Sequence, residues 1–412
     1  MKFTTMISLT VILVGLIGCS DSASGVPIVK AWVMGDGVWQ DFYRQLGDKF
    51  NQEHQDMQVK IEFIPWNQGH DKLILAAVSG TGPDVATDGG RWTTELAAMD
   101  ALQPLDDFIN DDYKKDFVPA AWETTQWKGQ TWGIPQGFTT TGLFYRTDWL
   151  KETGYSAPPN TWAEFRDVAK KMTQDGRYGF GLVGDNSMET TMFWTPFLWQ
   201  AGGELLSPDH KKAAFNSPAG VEALQFYVDL YRTDKSAPEG ALSTKRNDSQ
   251  AMFTNGLAGM TTSGPWFFGE IKKNKPDLPY AVAPYPVGKK AANLGTTDHF
   301  IMLKSAKDKQ AAWKWIDYAT NKENAQAWTQ AAGFIPYRKS GLEDASLTVD
   351  PNYKMLIDEA KNSRAYPTLP EWPQIDELIA NAVQEALAGK KTPKEALDDA
   401  AKQADAILAG AQ

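Results

Sequence analysis

Several short stretches set large aromatic rings beside carboxylates, glycines or prolines: WVMGDGVW (32–39), RW (91–92), FWTPFLWQAGGE (193–204), GPWFFGE (264–270) and PEWP (370–373). The chain holds 16 Trp and one Cys. Two chemistries use such neighbours. A flat ring beside hydrogen-bonding groups suits an amphipathic solute such as a pyranose. Its C–H face packs on the ring with little loss of side-chain freedom. Its hydroxyls cost about 1–3 kcal/mol each if buried unpaired, so they need donors and acceptors. Alternatively, two carboxylates about 5–10 Å apart can cleave a glycosidic bond. Glu204, Asp298 and Glu371 are candidates for that role, but sequence does not supply the distance. The ordinary alternatives are a solvated carboxylate for each acid and a core plug for each Trp.

Other chemistries find little support. GFGLVG (179–184) matches the dinucleotide pattern, but it lies mid-chain, reads as strand and is followed by DNS rather than a helix. It is better read as a glycine-rich strand. There is no P-loop, no G-x-S-x-G and no EF-hand loop, and His54, His70, His210 and His299 have no zinc spacing. No cofactor or metal is expected. The net charge is −10 and the KK pairs at 114, 211, 272, 289 and 390 are scattered, which argues against a nucleic-acid partner.

The elements that must position these residues follow from periodicity. IVKAWVM (28–34) reads as a buried strand and Val38–His54 as a helix, with Phe42, Leu46 and Phe50 at four-residue spacing. MQVKIEFIPW (57–66) alternates as a second strand, DKLILAAV (71–78) is a short helix, GPDVATDGG (82–90) a third strand, and a helix should run from Arg91 to about Met99. Strand–helix alternation implies a parallel sheet. Thr161 with Glu164, and Thr392 with Glu395, form capping boxes. A helix over about 373–388 stops at Gly389. Trp122, Trp127, Trp313, Trp315 and Trp328 read as packing residues. With 412 residues and no long linker, any two lobes must be joined by short ordered crossings.

The amino terminus reads as a processing signal: Lys2, an apolar run from Met6 to Ile17, then LIGC (16–19). The run is too short to span a bilayer. LIGC resembles the lipobox of bacterial lipoprotein signals, which implies cleavage before Cys19 and a lipid on its sulfur. Residues 1–18 would be the signal and 19–26 a tether. A plain secretory signal is the alternative.

Six motifs, in order, carry a wider resemblance. SGTGPDVATDGG (79–90), LQPLDDFI (102–109), GQTWGIPQGFTTTGLFYRTDWLKETGYSAPPNTWAEF (129–165), WQAGGE (199–204), AMFTNGLAGMTTSGPW (251–266) and AAGFIPYRK (331–339) resemble the family 1 bacterial extracellular solute-binding proteins of ABC importers, in their sugar-binding branch. Arg146 replaces the family's usual Asn, and GTTD (295–298) a common Gly pair. The resemblance implies an α/β, two-lobed, type II periplasmic-binding-protein-like fold with a hinge and an interlobe cleft. It places an N-lobe at 27–137 and 298–341, a C-lobe at 142–294 and 342–412, and the hinge at 137–142 and 293–298. Those crossings are rich in Gly and Thr, which suits segments that absorb rotation.

Ligand sites in such sheets lie beyond the strands' carboxyl ends. On that logic Asp36 and Trp39 follow the first strand, Trp66 ends the second, and Asp88 and Arg91 follow the third. Asp36 and Asp88 could instead cap helices, and Arg91 could be a surface ion-pair residue. Trp266 matches a position that the resemblance implies stacks on sugar. Phe138 and Thr139 sit at the first implied crossing and Asp298 at the second. Trp194, Arg338 and Trp372 complete the candidates.

The implied function is an importer's binding protein for a sugar or oligosaccharide. It would act as a monomer, outside the cytoplasm or in the periplasm, held by lipid and delivering to membrane permease subunits. A secreted glycosidase, and a binder of a polyamine or glycerophosphodiester, are the alternatives.

Overall fold

The computed structural model describes residues 25–35, 37–342, 344 and 348–410. Cys19, the signal region and Asp36 therefore lie outside the described residues. The chain opens with β1 (Ile28–Met34), α1 (Val38–Glu53), β2 (Gln58–Ile64), α2 (Trp66–Ser79), β3 (Val85–Gly89) and α3 (Gly90–Ala98). β1 pairs in parallel with β2 and with β3, as the alternation requires. One expectation needs correction: α2 begins at Trp66, a full turn earlier than DKLILAAV suggests. Its first turn, WNQG, carries no apolar periodicity to announce it.

β4 (Ile134–Thr140) belongs to this first sheet, and β5 (Gly142–Arg146) to another. Only Thr141 separates them. α4 (Trp162–Met172) follows, with the Thr161–Glu164 capping box formed as its sequence predicts. After β6 (Tyr178–Phe180) comes α5 (Met188–Gln200), then α6 (Arg246–Thr254), β7 (Ala258–Ser263), α7 (Trp266–Asn274) and β8 (Tyr280–Ala283). The second sheet runs β8-β5-β7-β6. The chain returns to the first sheet in β9 (Asn293–Met302) and continues through α8 (Lys309–Thr320), α9 (Lys322–Ala332), β10 (Ser363–Arg364), α10 (Trp372–Leu387) and α11 (Pro393–Gly410). The first sheet runs β10-β9-β3-β1-β2, with β4 also on β9. β9 is antiparallel to both β3 and β4.

Each sheet has its own hydrophobic core, so the architecture is two-lobed α/β. Val33, Tyr43, Phe50, Phe300, Trp315 and Trp328 cluster together. Met34, Ile64, Leu73, Trp92 and Ile301 form a separate cluster. Val33 and Met34 are adjacent in β1, and Phe300 and Ile301 in β9, so the two clusters cover opposite faces of one sheet. The second sheet's core joins Phe144, Phe165, Phe180, Trp194, Phe197 and Phe267 with Ile375, Ile379 and Leu387 of α10. The glycines of GFGLVG serve packing. A Cβ at Gly179 would lie 1.9 Å from the Ala169 carbonyl oxygen, and no helix opens at Gly184. The two chain crossings are tied together: the Thr141 hydroxyl donates to Asn293 Oδ1 at 2.8 Å, and the Thr139 and Thr296 hydroxyls lie 2.8 Å apart.

Candidate ligand-binding cleft

The carboxyl ends of β1, β2 and β3 open onto one cavity of about 130 Å³. Nine of its lining residues come from the first turns of helices. Val38 and Trp39 open α1, Trp66 opens α2, and Gly90 and Arg91 open α3; across from them Glu189 opens α5, Arg246 and Asn247 open α6, and Trp266 opens α7. Thr139 of β4 and Thr296–Asp298 of β9 lie between the two sides, and Tyr366–Thr368 close one end. Amides at a helix's start have no partner within the helix. Here several are met locally: those of Gln68, Phe267 and Phe268 donate to the carbonyls of Pro65, Gly264 and Pro265.

The aromatic wall is braced from behind. Trp39 stands edge-on to Trp66 at 6.0 Å and to buried Trp328 at 5.3 Å. Trp66 leans on buried Trp92 at 5.4 Å. Gly35 makes this possible: its φ is 139°, and a Cβ there would lie 2.5 Å from the Trp39 ring. On the facing side the Arg246 guanidinium sits 5.5 Å from the Trp266 ring centroid, and its Nε donates to Glu189 Oε1 at 2.7 Å. Trp266 Nε1 is buried without a hydrogen-bond partner among the described residues. Buried polar atoms are seldom left so.

The charges are arranged in pairs. Arg91 Nη1 donates to Asp376 Oδ2 at 3.4 Å and also packs near Tyr366. Asp298 is 9% exposed. Burial pushes its carboxyl up to about 7, against the pull of Arg91 and Arg246. Asp376 is pushed up to about 6 by burial, with Arg91 opposing. Burial holds the His299 imidazole down at about 3, hence neutral. Its two ring nitrogens each lie 2.8 Å from a threonine hydroxyl, those of Thr93 and Thr124. No group of three or more His, Cys, Asp or Glu that could hold a metal occurs among the described residues.

Of the candidates from sequence, Trp39, Trp66, Arg91, Thr139, Trp266 and Asp298 come together on this wall. Asp88 lies behind it, fully buried, accepting from the Thr93 hydroxyl at 2.8 Å, and burial raises its carboxyl well above the usual range. Phe138 lies beside the wall, where its carbonyl accepts from the Ile335 amide. Three others sit elsewhere. Trp194 is fully buried in the second sheet's core, because every residue from Thr190 to Gln200 is buried and α5 has no free face there. Trp372 is buried behind Tyr366 at 5.1 Å. Arg338 donates to the Thr320 carbonyl and to Asp116 at 3.1 Å, away from the cavity.

A family model described as bacterial extracellular solute-binding protein matches residues 36–326. The chain belongs to this family. The solute-binding protein is 30% identical over 371 residues to a Brucella abortus protein whose name says only that it binds, covering 89% of this chain and 90% of that one. It is 24% identical to a Pectobacterium atrosepticum periplasmic protein named for binding sn-glycerol-3-phosphate, over 94% of this chain and 93% of that one. Among solved structures it is similar to an ABC transporter solute-binding protein of Thermotoga lettingae bound with α-D-tagatose. That match has a TM-score of 0.88 and 29% identity, over 93% of this chain and all of the other. It is also similar to maltose-bound MalE3 of T. maritima, with a TM-score of 0.86 and 26% identity over the same shares.

The residues that sequence reasoning missed in this solute-binding protein are Glu189, Met192, Arg246, Asn247 and Tyr366. A signal for some of them existed. Glu189 and Arg246 occupy first turns, as do Trp39, Arg91 and Trp266, so reading helix starts rather than aromatic density would have found them. Met192 lies one turn beyond Glu189 on the same face of α5. Tyr366, in an irregular segment, carries no such signal.

Proposed function

We propose that this protein is the substrate-binding component of an ABC importer and that its ligand is a sugar or short oligosaccharide. The carrying observation is the meeting of Trp39, Trp66 and Trp266 with Asp298, Arg91 and Arg246 around one cavity. Rings match the C–H faces of a pyranose, and the polar groups match its hydroxyls. The proposed lobes are 27–137 with 298–341, and 142–294 with 342–412, turning about 137–142 and 293–298. Ligand that touches both lobes stabilises the closed form by its differential affinity, and the closed form docks on the permease pair. Cys19 would carry the lipid that holds a monomer outside the cytoplasm.

A phosphoester ligand is less well served. Both cavity arginines already face carboxylates, Arg91 with Asp376 and Arg246 with Glu189. Glycosidase chemistry is disfavoured by placement: of Glu204, Asp298 and Glu371, only Asp298 lines the cavity. Thermal unfolding of the body without residues 1–19, against mono- and oligosaccharides, glycerol phosphate and spermidine, tests this. Saturating ligand at a thousand times its Kd should add about 4 kcal/mol. A sugar that raises the midpoint and is recovered uncleaved supports transport. Recovery of hydrolysed sugar, or a shift with the phosphoester or polyamine alone, would reject the reading.

A further inference from the structure

The first sheet has a second edge, opposite the cleft, where its parallel strands begin. Ile28 opens β1 there and Gln58 opens β2 beside it. α2 and α3 each run back from the cleft to this edge, so Val78 and Met99, at the ends of those helices, reach it too. β9 is antiparallel to β3 and sets Met302 opposite Val85, which brings 303–307 to the same edge. Among the described residues seven large apolar side chains are exposed, and four of them, Ile28, Leu75, Val78 and Met99, gather here. Leu75 stands one turn before Val78 on the same face of α2; the two are 68% and 73% exposed. Exposed apolar residues scattered singly are ordinary, but a group of them with a polar rim marks a contact surface. The rim here carries lysines. Asp84 accepts from the backbone amides of Lys30 at 2.8 Å and Lys307 at 3.1 Å, which fixes both exposed lysines at this edge. Its acids Asp100 and Asp56 are already met by Lys304 and Lys314.

The chain itself points to what this edge meets. Gly25 stands six residues after Cys19, a reach of about 20 Å at full extension. β1 has seven residues and spans about 23 Å. The reach from the lipid is thus no longer than the sheet is tall, and the amino edge stays near the bilayer however the body turns. Apolar side chains rimmed by lysine suit the level of anionic headgroups. We infer that this edge is a membrane-resting surface: Ile28, Leu75, Val78 and Met99 meet the headgroup layer of the bilayer that holds the Cys19 lipid, with Lys30 and Lys307 toward its phosphates. The inference rests on the lipid-anchor reading above. In that posture the cleft, at the far ends of the same strands, is held clear of the bilayer and open to passing solute.

The test uses the full chain, lipid-modified in cells, in vesicles of phosphatidylethanolamine and phosphatidylglycerol that contain no permease. Val78→Cys, Met99→Cys, Leu257→Cys and Leu342→Cys each supply one thiol for a fluorescent label, since lipid occupies the Cys19 sulfur. Nitroxides on the lipid headgroups should quench labels at 78 and 99 at least about twofold more than labels at 257 and 342. Leu75→Glu should lower the quenching at 99 and leave ligand affinity unchanged. Equal quenching at all four positions overturns the resting surface and leaves the anchor standing. Quenching at 78 and 99 that fades as the chains are diluted in the vesicles assigns the edge to a second copy and overturns the proposal as well. An intact mass with no lipid on Cys19 overturns both the anchor and the surface.

Discussion

Arg91 of α3 and Asp376 of α10 meet at 3.4 Å, joining a helix of the first sheet to a helix packed in the second sheet's core. Asp376 is fully buried and Arg91 nearly so. The pair bridges the two proposed lobes.

Arg91→Ala therefore acts on closure. Removing one partner of a buried pair costs roughly 3–5 kcal/mol, because the other charge is stranded. The closed form bears that cost, so ligand affinity should fall at least tenfold at pH 8. Asp376, raised to about 6 by burial, takes up a proton in acid and then needs no cation. The defect should shrink at pH 5. Titration calorimetry at the two pH values checks this, and an equal loss at both would sink it.

Asp298→Asn addresses the acid between the arginines. Its carboxyl is raised by burial from 3.8 to about 7. Between those values the folded protein holds the proton more tightly than the unfolded chain, so stability falls as pH rises through that window and levels off above it. The asparagine variant lacks this loss. Its stability relative to wild type should improve from pH 4 to pH 8 by on the order of 3 kcal/mol. Urea melts at both pH values measure it, and parallel curves would refute it.

Trp266 and Trp194 should part company. Trp266 lines the cavity and Trp194 does not. Trp194→Ala should lower stability by about 3–5 kcal/mol and leave the affinity of the folded fraction near wild type. Trp266→Ala should weaken sugar binding at least tenfold, and Trp266→Phe should restore part of it. Paired melts and titrations separate the two effects.

Thr161→Ala removes the side chain that accepts from the Glu164 amide at 3.2 Å. Loss of such a cap costs about 1 kcal/mol. Unfolding should shift by that amount with no change in affinity. A change in affinity would mean that α4 communicates with the cleft.

Much of the scaffold was legible because it repeats simple periods. The alternation of β1 and β2, the four-residue spacing of α1 and the Thr161–Glu164 box each depend on a few neighbouring residues. The cavity wall was legible where strand ends announce it, as at Trp39 and Trp66, and where the family resemblance points to it, as at Thr139, Trp266 and Asp298. FWTPFLWQAGGE misled because aromatic density does not say which face of a helix is free. α5 is enclosed over its last three turns, and only its start, with Glu189 and Met192, reaches the cavity. Arg338 misled likewise: its partners Asp116 and Thr320 are far off in sequence. Asp376 lay hidden in an amphipathic helix, where an acid normally faces water.

The ring of helix starts around the cleft has a consequence for descent. Trp39, Trp66, Arg91, Glu189, Arg246 and Trp266 stand at the mouths of six different helices, while each helix's hold on the scaffold lies further along. Glu189, Arg246 and Trp266 also touch one another, so a lineage with this plan changes its diet by small coupled sets of residues while the cores beneath stay as they are. Kinship in shape then outlasts kinship in sequence, as a TM-score of 0.88 at 29% identity illustrates.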